Sequence, residues 1–106
     1  MTNIETIERD PVLAAIADYR QADSEFIRCC ELEEAQGGHA TATYAAADAS
    51  GDARETLLTT TPTTAEGLVA VLHLVGNSDV LATTDEAQVF IHTIKSAVLS
   101  LLERRL

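Results

Sequence analysis

The sequence is poor in aromatic and basic residues. It has no tryptophan, aromatic residues make up 4% of the chain, and 7 Lys and Arg face 17 Asp and Glu, which gives a formal net charge of −10. A hydrophobic core must therefore be built from Ala, Val, Leu and Ile. Nucleic acid and anionic membrane surfaces are not expected partners, because both are bound through clustered Lys and Arg.

Long hydrophobic runs are missing as well. No apolar stretch reaches the roughly 18 residues that a membrane-spanning helix needs, so no membrane segment is predicted. The first ten residues carry Glu5, Glu8 and Asp10 and lack the apolar run of a secretory signal. We predict a single helical domain over residues 1–106, of which residues 1–9 are flexible.

Cysteine is limited to the adjacent pair Cys29 and Cys30. Neighbouring residues on a helix point about 100° apart, so these two thiols are poorly placed to bridge each other. The absence of a disulfide framework predicts a reducing, cytoplasmic location. The pair is interpreted as two small packing residues, with an intermolecular disulfide across a dimer interface as the alternative.

Start and stop signals predict four helices and no strand. The first is expected from Pro11 to about Gln36, ending at Gly37-Gly38, and the second from about Ala40 to Thr60, with a possible break near Gly51. The third is expected to end at Gly76-Asn77, and the fourth to span about Thr84 to Arg105.

Helix caps support these boundaries. Asp10 precedes Pro11 and can accept the free N–H groups of the first turn. Thr63 and Glu66 fit a capping box, in which the Thr side chain bonds forward and the Glu side chain bonds back. Thr83 and Glu86 repeat the same spacing before the fourth helix.

Each helix carries an apolar face at helical spacing. On the first it comprises Val12, Ala15, Ile16, Tyr19, Ala22, Phe26, Ile27, Cys29 and Cys30; on the second Ala42, Ala45, Ala46, Ala49, Ala53 and Leu57; and on the fourth Ala87, Phe90, Ile91, Ile94, Ala97, Val98, Leu101 and Leu102. The apolar arc of the third, Leu68 to Val75, is wide enough to predict cover on two sides.

These features predict an all-α fold, an up-and-down bundle of about four helices with a long first helix, completed by homodimerisation. A first helix of 26 residues is about 39 Å long, which exceeds the core of a compact domain of this size. The apolar arc of the third helix is wide, and Val89 and Leu99 lie outside the apolar stripe of the fourth helix. Both features favour burial against a second copy.

Asp23 is the main candidate for a functional residue. It lies within the apolar face of the first helix, near Tyr19 and Cys30, where a carboxylate must be paired, neutralised or reached by water. It is interpreted as a polar residue that sets the packing register of the helix, or as an interruption of the apolar stripe where that stripe meets a loop. The alternative is a small-molecule or metal-binding bundle centred on Asp23, Tyr19 and Cys30.

The histidines form no recognisable metal or catalytic spacing, so no metal, cofactor or catalytic residue is predicted. A metal site that joins Cys29 or Cys30 to a distant His is a minor alternative. The segment from His73 to Gly76 resembles histidine phosphotransfer domains, which implies phosphotransfer through His73 as a remote alternative. It departs from that family in placing Gly three residues after His rather than four, and Val75 where a Lys is usual.

Two segments carry a broader resemblance. Asp10-Pro11-Val12-Leu13-Ala14-Ala15-Ile16, followed by the T-P-T-T-x-x-G-x-x-A-x-L pattern of residues 61–72, is similar to a group of small helical proteins frequent in alphaproteobacteria. The resemblance implies an all-helical fold and a bacterial cytoplasmic setting. It assigns no functional residue and no activity.

The charge is unevenly distributed. Residues 1–66 contain 13 acids and 4 bases, a net charge of −9, whereas residues 67–106 contain 4 acids and 3 bases, a net charge of −1. The first two helices are thus expected to be acidic, and the last two to supply the large aliphatic surface. We predict a non-enzymatic protein-interaction or regulatory module, a homodimer with a possible further protein partner.

Overall fold

The computed structural model describes residues 10–36, 41–77, 80–81 and 83–105. Within these ranges it contains four α-helices and no strand: α1 (Pro11–Gln36), α2 (Thr41–Thr59), α3 (Ala65–Gly76) and α4 (Thr84–Arg105). The all-helical fold class is confirmed, and α2 runs without a break through Gly51. The flexibility predicted for residues 1–9 lies outside the described residues. None of the described helices is long and apolar enough to cross a membrane.

The predicted caps of α1 and α4 are confirmed. Val12 N donates to Asp10 Oδ1 at 3.0 Å, and Glu86 N donates to Thr83 Oγ1 at 3.1 Å. Each bond satisfies an N–H group that has no partner within its own helix.

The cap of α3 differs from the prediction by one residue. Thr64, not Thr63, is the N-cap, and its Oγ1 accepts a hydrogen bond from Gly67 N at 3.0 Å. In a capping box, a Glu at the third helical position would accept from the N–H of the capping residue. That N–H instead donates to Asp10 of the α1 cap, and Glu66 is exposed.

The core forms where the first half of α1, the end of α2, α3 and the first half of α4 meet. Its buried members are Val12, Ala15, Ile16, Leu57, Leu58, Val71, Val80 and Phe90. As the composition predicts, aliphatic side chains dominate it, with Phe90 as the sole buried aromatic member among the described residues.

The helices form an elongated assembly in which each helix packs on two others. α1 packs on α2 and α3, and α4 packs on α2 and α3, whereas the Cα atoms of α2 and α3 do not approach within 8 Å in the described ranges. Consecutive helices are therefore not always neighbours, which departs from the predicted up-and-down order. The dimensions are 59 × 39 × 19 Å, and the radius of gyration is 16.3 Å, against about 13 Å for a compact chain of this length.

Parts of the predicted apolar faces are not buried. Ala42, Ala45 and Ala49 of α2 are exposed. Thr43 is buried in their place, where its hydroxyl donates to the carbonyl of Cys29 at 3.4 Å and joins α2 to α1. On α1, Ile27 is half exposed because α2 covers another side of the helix end.

The predicted cover of α3 on two sides is not present in this single chain. Val71 of α3 is buried, but Val69 and Leu72 are about half exposed. Since α1 and α4 lie against the opposite side of α3, the wide arc read from the sequence leaves an aliphatic surface open.

Candidate functional site

Asp10 joins the starts of two helices. While its Oδ1 caps α1, its Oδ2 accepts hydrogen bonds from Thr63 N at 2.9 Å, Thr64 N at 2.9 Å and Thr64 Oγ1 at 2.8 Å. The residue is 1% exposed. Its buried charge is thus surrounded by four donors, which is the condition under which a carboxylate is tolerated in a protein interior.

Gly67 permits this close approach of α1 and α3. A Cβ atom added at position 67 would lie 2.6 Å from Asp10 Cγ and 2.8 Å from Val12 Cγ1, both shorter than van der Waals contact. Only glycine fits here without displacing the Asp10 carboxylate. The two segments quoted above for the family resemblance therefore meet at this junction.

The hydrogen bonds outweigh the burial of Asp10. Burial raises the pKa of this carboxyl, but the bonds from Val12, Thr64 and Thr63 favour the charged form and leave the pKa below its ordinary value. The group stays ionised at neutral pH. Because both of its oxygens are occupied, we assign it a structural role.

Tyr19 and Asp23 share one side of α1 and lie within electrostatic range of Arg54 on α2. Burial raises the pKa of the Tyr19 phenol, the negative charge of Asp23 raises it further, and Arg54 opposes both. Tyr19 packs against the edge of the core. Sequence reasoning identified the first two residues but missed Arg54, because nothing along the chain links position 54 to position 19.

Cys30 does not join a donor cluster with Tyr19 and Asp23. Both thiols are free: Cys29 is buried, with its Sγ 3.9 Å from Glu25 Oε1, and Cys30 is half-buried. Glu25 is also paired with Arg28 one turn along the helix. Across the described ranges, no three His, Cys, Asp or Glu side chains are grouped to hold a metal ion.

A groove lies between the second half of α2 and the start of α4. It has a volume of about 280 Å³ and is lined by both polar and apolar side chains, among them Arg54, Glu86, Leu58 and Val89. Arg54 Nε lies 2.9 Å from Glu86 Oε2, an ion pair in which the N–H is not directed well enough for a hydrogen bond. This pair connects α2 to α4 and occupies the charged side of the groove.

A group of exposed aliphatic side chains lies on α3 and α4. We define the α3–α4 face by seven residues: Leu68, Val69, Leu72, Ile91, Val98, Leu101 and Leu102. Five of them are between 37% and 65% exposed, and Leu68 and Leu101 are partly buried beneath. Ile91, Val98 and Leu102 recur at intervals of seven and four residues, which places them on one line along α4.

The two halves of this face adjoin each other. Leu68 of α3 and Val98, Leu101 and Leu102 of α4 line one shallow groove of about 310 Å³. Arg104 Nη1 donates to the carbonyl of Thr63 at 2.8 Å, which holds the end of α4 beside the start of α3. The two helices thus meet in the part of the face that Leu68, Val98, Leu101 and Leu102 form.

The histidines have separate surroundings. His73 is exposed near the end of α3, where its carbonyl accepts from the backbone N and the side-chain Nδ2 of Asn77. His92 is exposed on α4. His39 lies outside the described residues.

Comparison of this chain with protein-family models, with curated proteins and with solved structures found no match.

Proposed function

We propose that this chain is a non-catalytic protein-interaction module that binds its partner through the α3–α4 face. The observation that carries the proposal is the aliphatic surface of that face, where side chains about half exposed lie on two helices that share one groove. Monomeric soluble proteins seldom expose apolar patches larger than a few hundred Å², and patches of that size usually mark binding sites.

The charge distribution supports the same assignment. Most acids lie on α1 and α2, including the exposed Asp18, Glu31, Asp48 and Asp52. A surface of negative charge opposes non-specific association with the many acidic proteins of a cell. Binding is thereby directed to the face that carries little charge.

The exposed apolar residues of α1 do not form a comparable surface. Ile27 and Leu32 of α1 are about half exposed. They are five positions apart, which separates their directions by about 140° on a helix, so they do not share a face. Acidic Glu25, Glu31 and Glu34 lie among them.

The setting we propose is the bacterial cytoplasm. Its support is the resemblance of the Asp10 and Thr61–Leu72 segments to alphaproteobacterial proteins, together with the free thiols of Cys29 and Cys30.

The test uses one variant of the face and one matched control. Leu102→Glu adds a charge to the α3–α4 face, and Ser24→Glu adds the same charge to the exposed side of α1. A protein retained by the wild type from a lysate of the source organism is purified, and its affinity for each variant is measured by calorimetry. We expect Leu102→Glu to weaken binding at least tenfold and Ser24→Glu to leave it unchanged. Equal affinity for all three proteins would contradict the proposal.

A further inference from the structure

We propose that the occupant of the α3–α4 face is a second copy of this chain, so that two protomers pair face to face about a twofold axis. This inference rests on the function proposed above and names the partner. It is carried by three observations: the exposed aliphatic area of the face, the uncovered side of α3 and the charges along the rims of the face.

The area of the face matches what a stable dimer requires. Its five exposed members and the two partly buried ones offer roughly 500 Å² of apolar surface, at the upper part of the range for the largest patch on a monomer. A standard interface buries about 800 Å² on each partner, of which somewhat more than half is apolar. The exposed aliphatic area therefore suffices for the apolar centre of such an interface.

The uncovered side of α3 favours pairing through it. α1 and α4 pack on α3, where Val71 is buried, but Val69 and Leu72 on another side of α3 are about half exposed. A helical domain normally buries the apolar stripe of each helix between packed layers. The single chain leaves this side of α3 open, and a second copy would cover it.

The charges around the face suit a twofold interface. Wheel positions place exposed Glu66 at the α3 rim of the face and exposed Lys95 at its α4 rim. In a twofold interface the same surface patch contacts itself, so α3 of each copy can lie opposite α4 of the other. The acidic rim of one copy then meets the basic rim of the other, and the acids of α1 and α2 stay apart.

The net charge of −10 makes this face the most favourable place for two copies to meet. Contact through α1 or α2 would bring together the helices that hold 9 of the 17 acids and 3 of the 7 bases, a net charge of −6. α3 and α4 hold 4 acids and 3 bases, a net charge of −1. Self-association through α3 and α4 thus meets less repulsion than contact through α1 or α2.

Sedimentation velocity on the full chain tests the proposal. Protein concentrations between about 5 and 200 µM bracket micromolar dissociation constants. The wild type should shift to a dimer as concentration rises, and Leu102→Glu should raise the dissociation constant at least tenfold. Ser24→Glu serves as the charge-matched control and should dimerise as the wild type does. Circular dichroism melting shows whether Leu102→Glu is folded, and Val98→Arg provides a second variant of the same face with the opposite charge.

A wild type that stays monomeric at every concentration overturns the inference without any variant. A dimer that both Leu102→Glu and Val98→Arg leave intact overturns it as well. If the wild type is monomeric but Leu102→Glu still abolishes binding of a different protein, the second copy is the wrong occupant and the proposed function stands. If the face variants change neither self-association nor partner binding, both proposals fail.

Discussion

The Asp10 carboxylate and the Gly67 Cα form a matched pair, since the space that a side chain at position 67 would need is filled by Asp10. A Cβ at Gly67 would lie 2.6 Å from Asp10 Cγ. Two features that look local in the sequence, a helix cap and a helix glycine, thus depend on each other across more than fifty residues.

Gly67→Ala should destabilise the fold by about 2 to 3 kcal/mol, because overpacking displaces Asp10 from its donors. Urea denaturation followed by circular dichroism measures the loss. Gly51→Ala is the control: nothing lies within 4 Å of its added Cβ. Removing a glycine from a helix interior should stabilise the protein by about 0.5 to 1 kcal/mol. Equal effects of the two substitutions would contradict the account.

Asp10→Ala should cost about 2 to 4 kcal/mol, since it removes the cap of α1 and leaves the partly buried N–H groups of Thr63 and Thr64 without their acceptor. The same denaturation experiment applies. Asp18→Ala, on the exposed side of α1, provides the control and should change stability by less than about 0.5 kcal/mol. If Asp10→Ala left the free energy of unfolding unchanged, the hydrogen bonds of Asp10 would not be what holds α1 to α3.

The stability that Asp10 contributes should depend on pH in the acid range. Burial raises its pKa, but the hydrogen bonds from Val12, Thr64 and Thr63 lower it by more, so the folded-state pKa lies below the ordinary 3.8. The unfolded chain therefore binds the proton more readily. The contribution is complete above the unfolded pKa and is lost as pH falls through the folded pKa. The difference in unfolding free energy between the wild type and Asp10→Asn, measured from neutral pH downwards, should shrink below about pH 4.

Tyr19 should report the charges of Asp23 and Arg54. Burial raises its pKa, Asp23 raises it further and Arg54 lowers it. Asp23→Asn should therefore lower the pKa, and Arg54→Gln should raise it. Ultraviolet absorbance of the phenolate follows the titration in a background in which Tyr44 is replaced by Phe. Unchanged titration in both variants would place Asp23 and Arg54 outside the surroundings of Tyr19.

Local signals predicted the helices well because each helix end carries its own chemistry. Asp10, Thr83 and Gly76 mark ends that the structure confirms. The exception is the α3 cap, where the acceptor comes from Asp10, a residue remote in sequence. A pattern read along one segment could not anticipate that bond.

Burial was harder to predict, because an apolar stripe shows which side of a helix can be buried but not what covers it. Thr43 is buried in a helix in which Ala42, Ala45 and Ala49 are exposed, and its hydroxyl donates to the carbonyl of Cys29 on α1. For the same reason, the proximity of Arg54 to Tyr19 follows from the packing of α2 on α1 and from no spacing in the sequence.

The central claim is that the α3–α4 face is a binding surface that a second copy occupies. The most direct test follows the methyl resonances in nuclear magnetic resonance spectra as the protein is diluted. We predict concentration-dependent shifts for the methyl groups of Leu72, Ile91 and Leu102, and constant shifts for the buried Leu57 and Val80. Spectra that do not change with concentration, or shifts confined to Ile27 and Leu32 on α1, would contradict the claim.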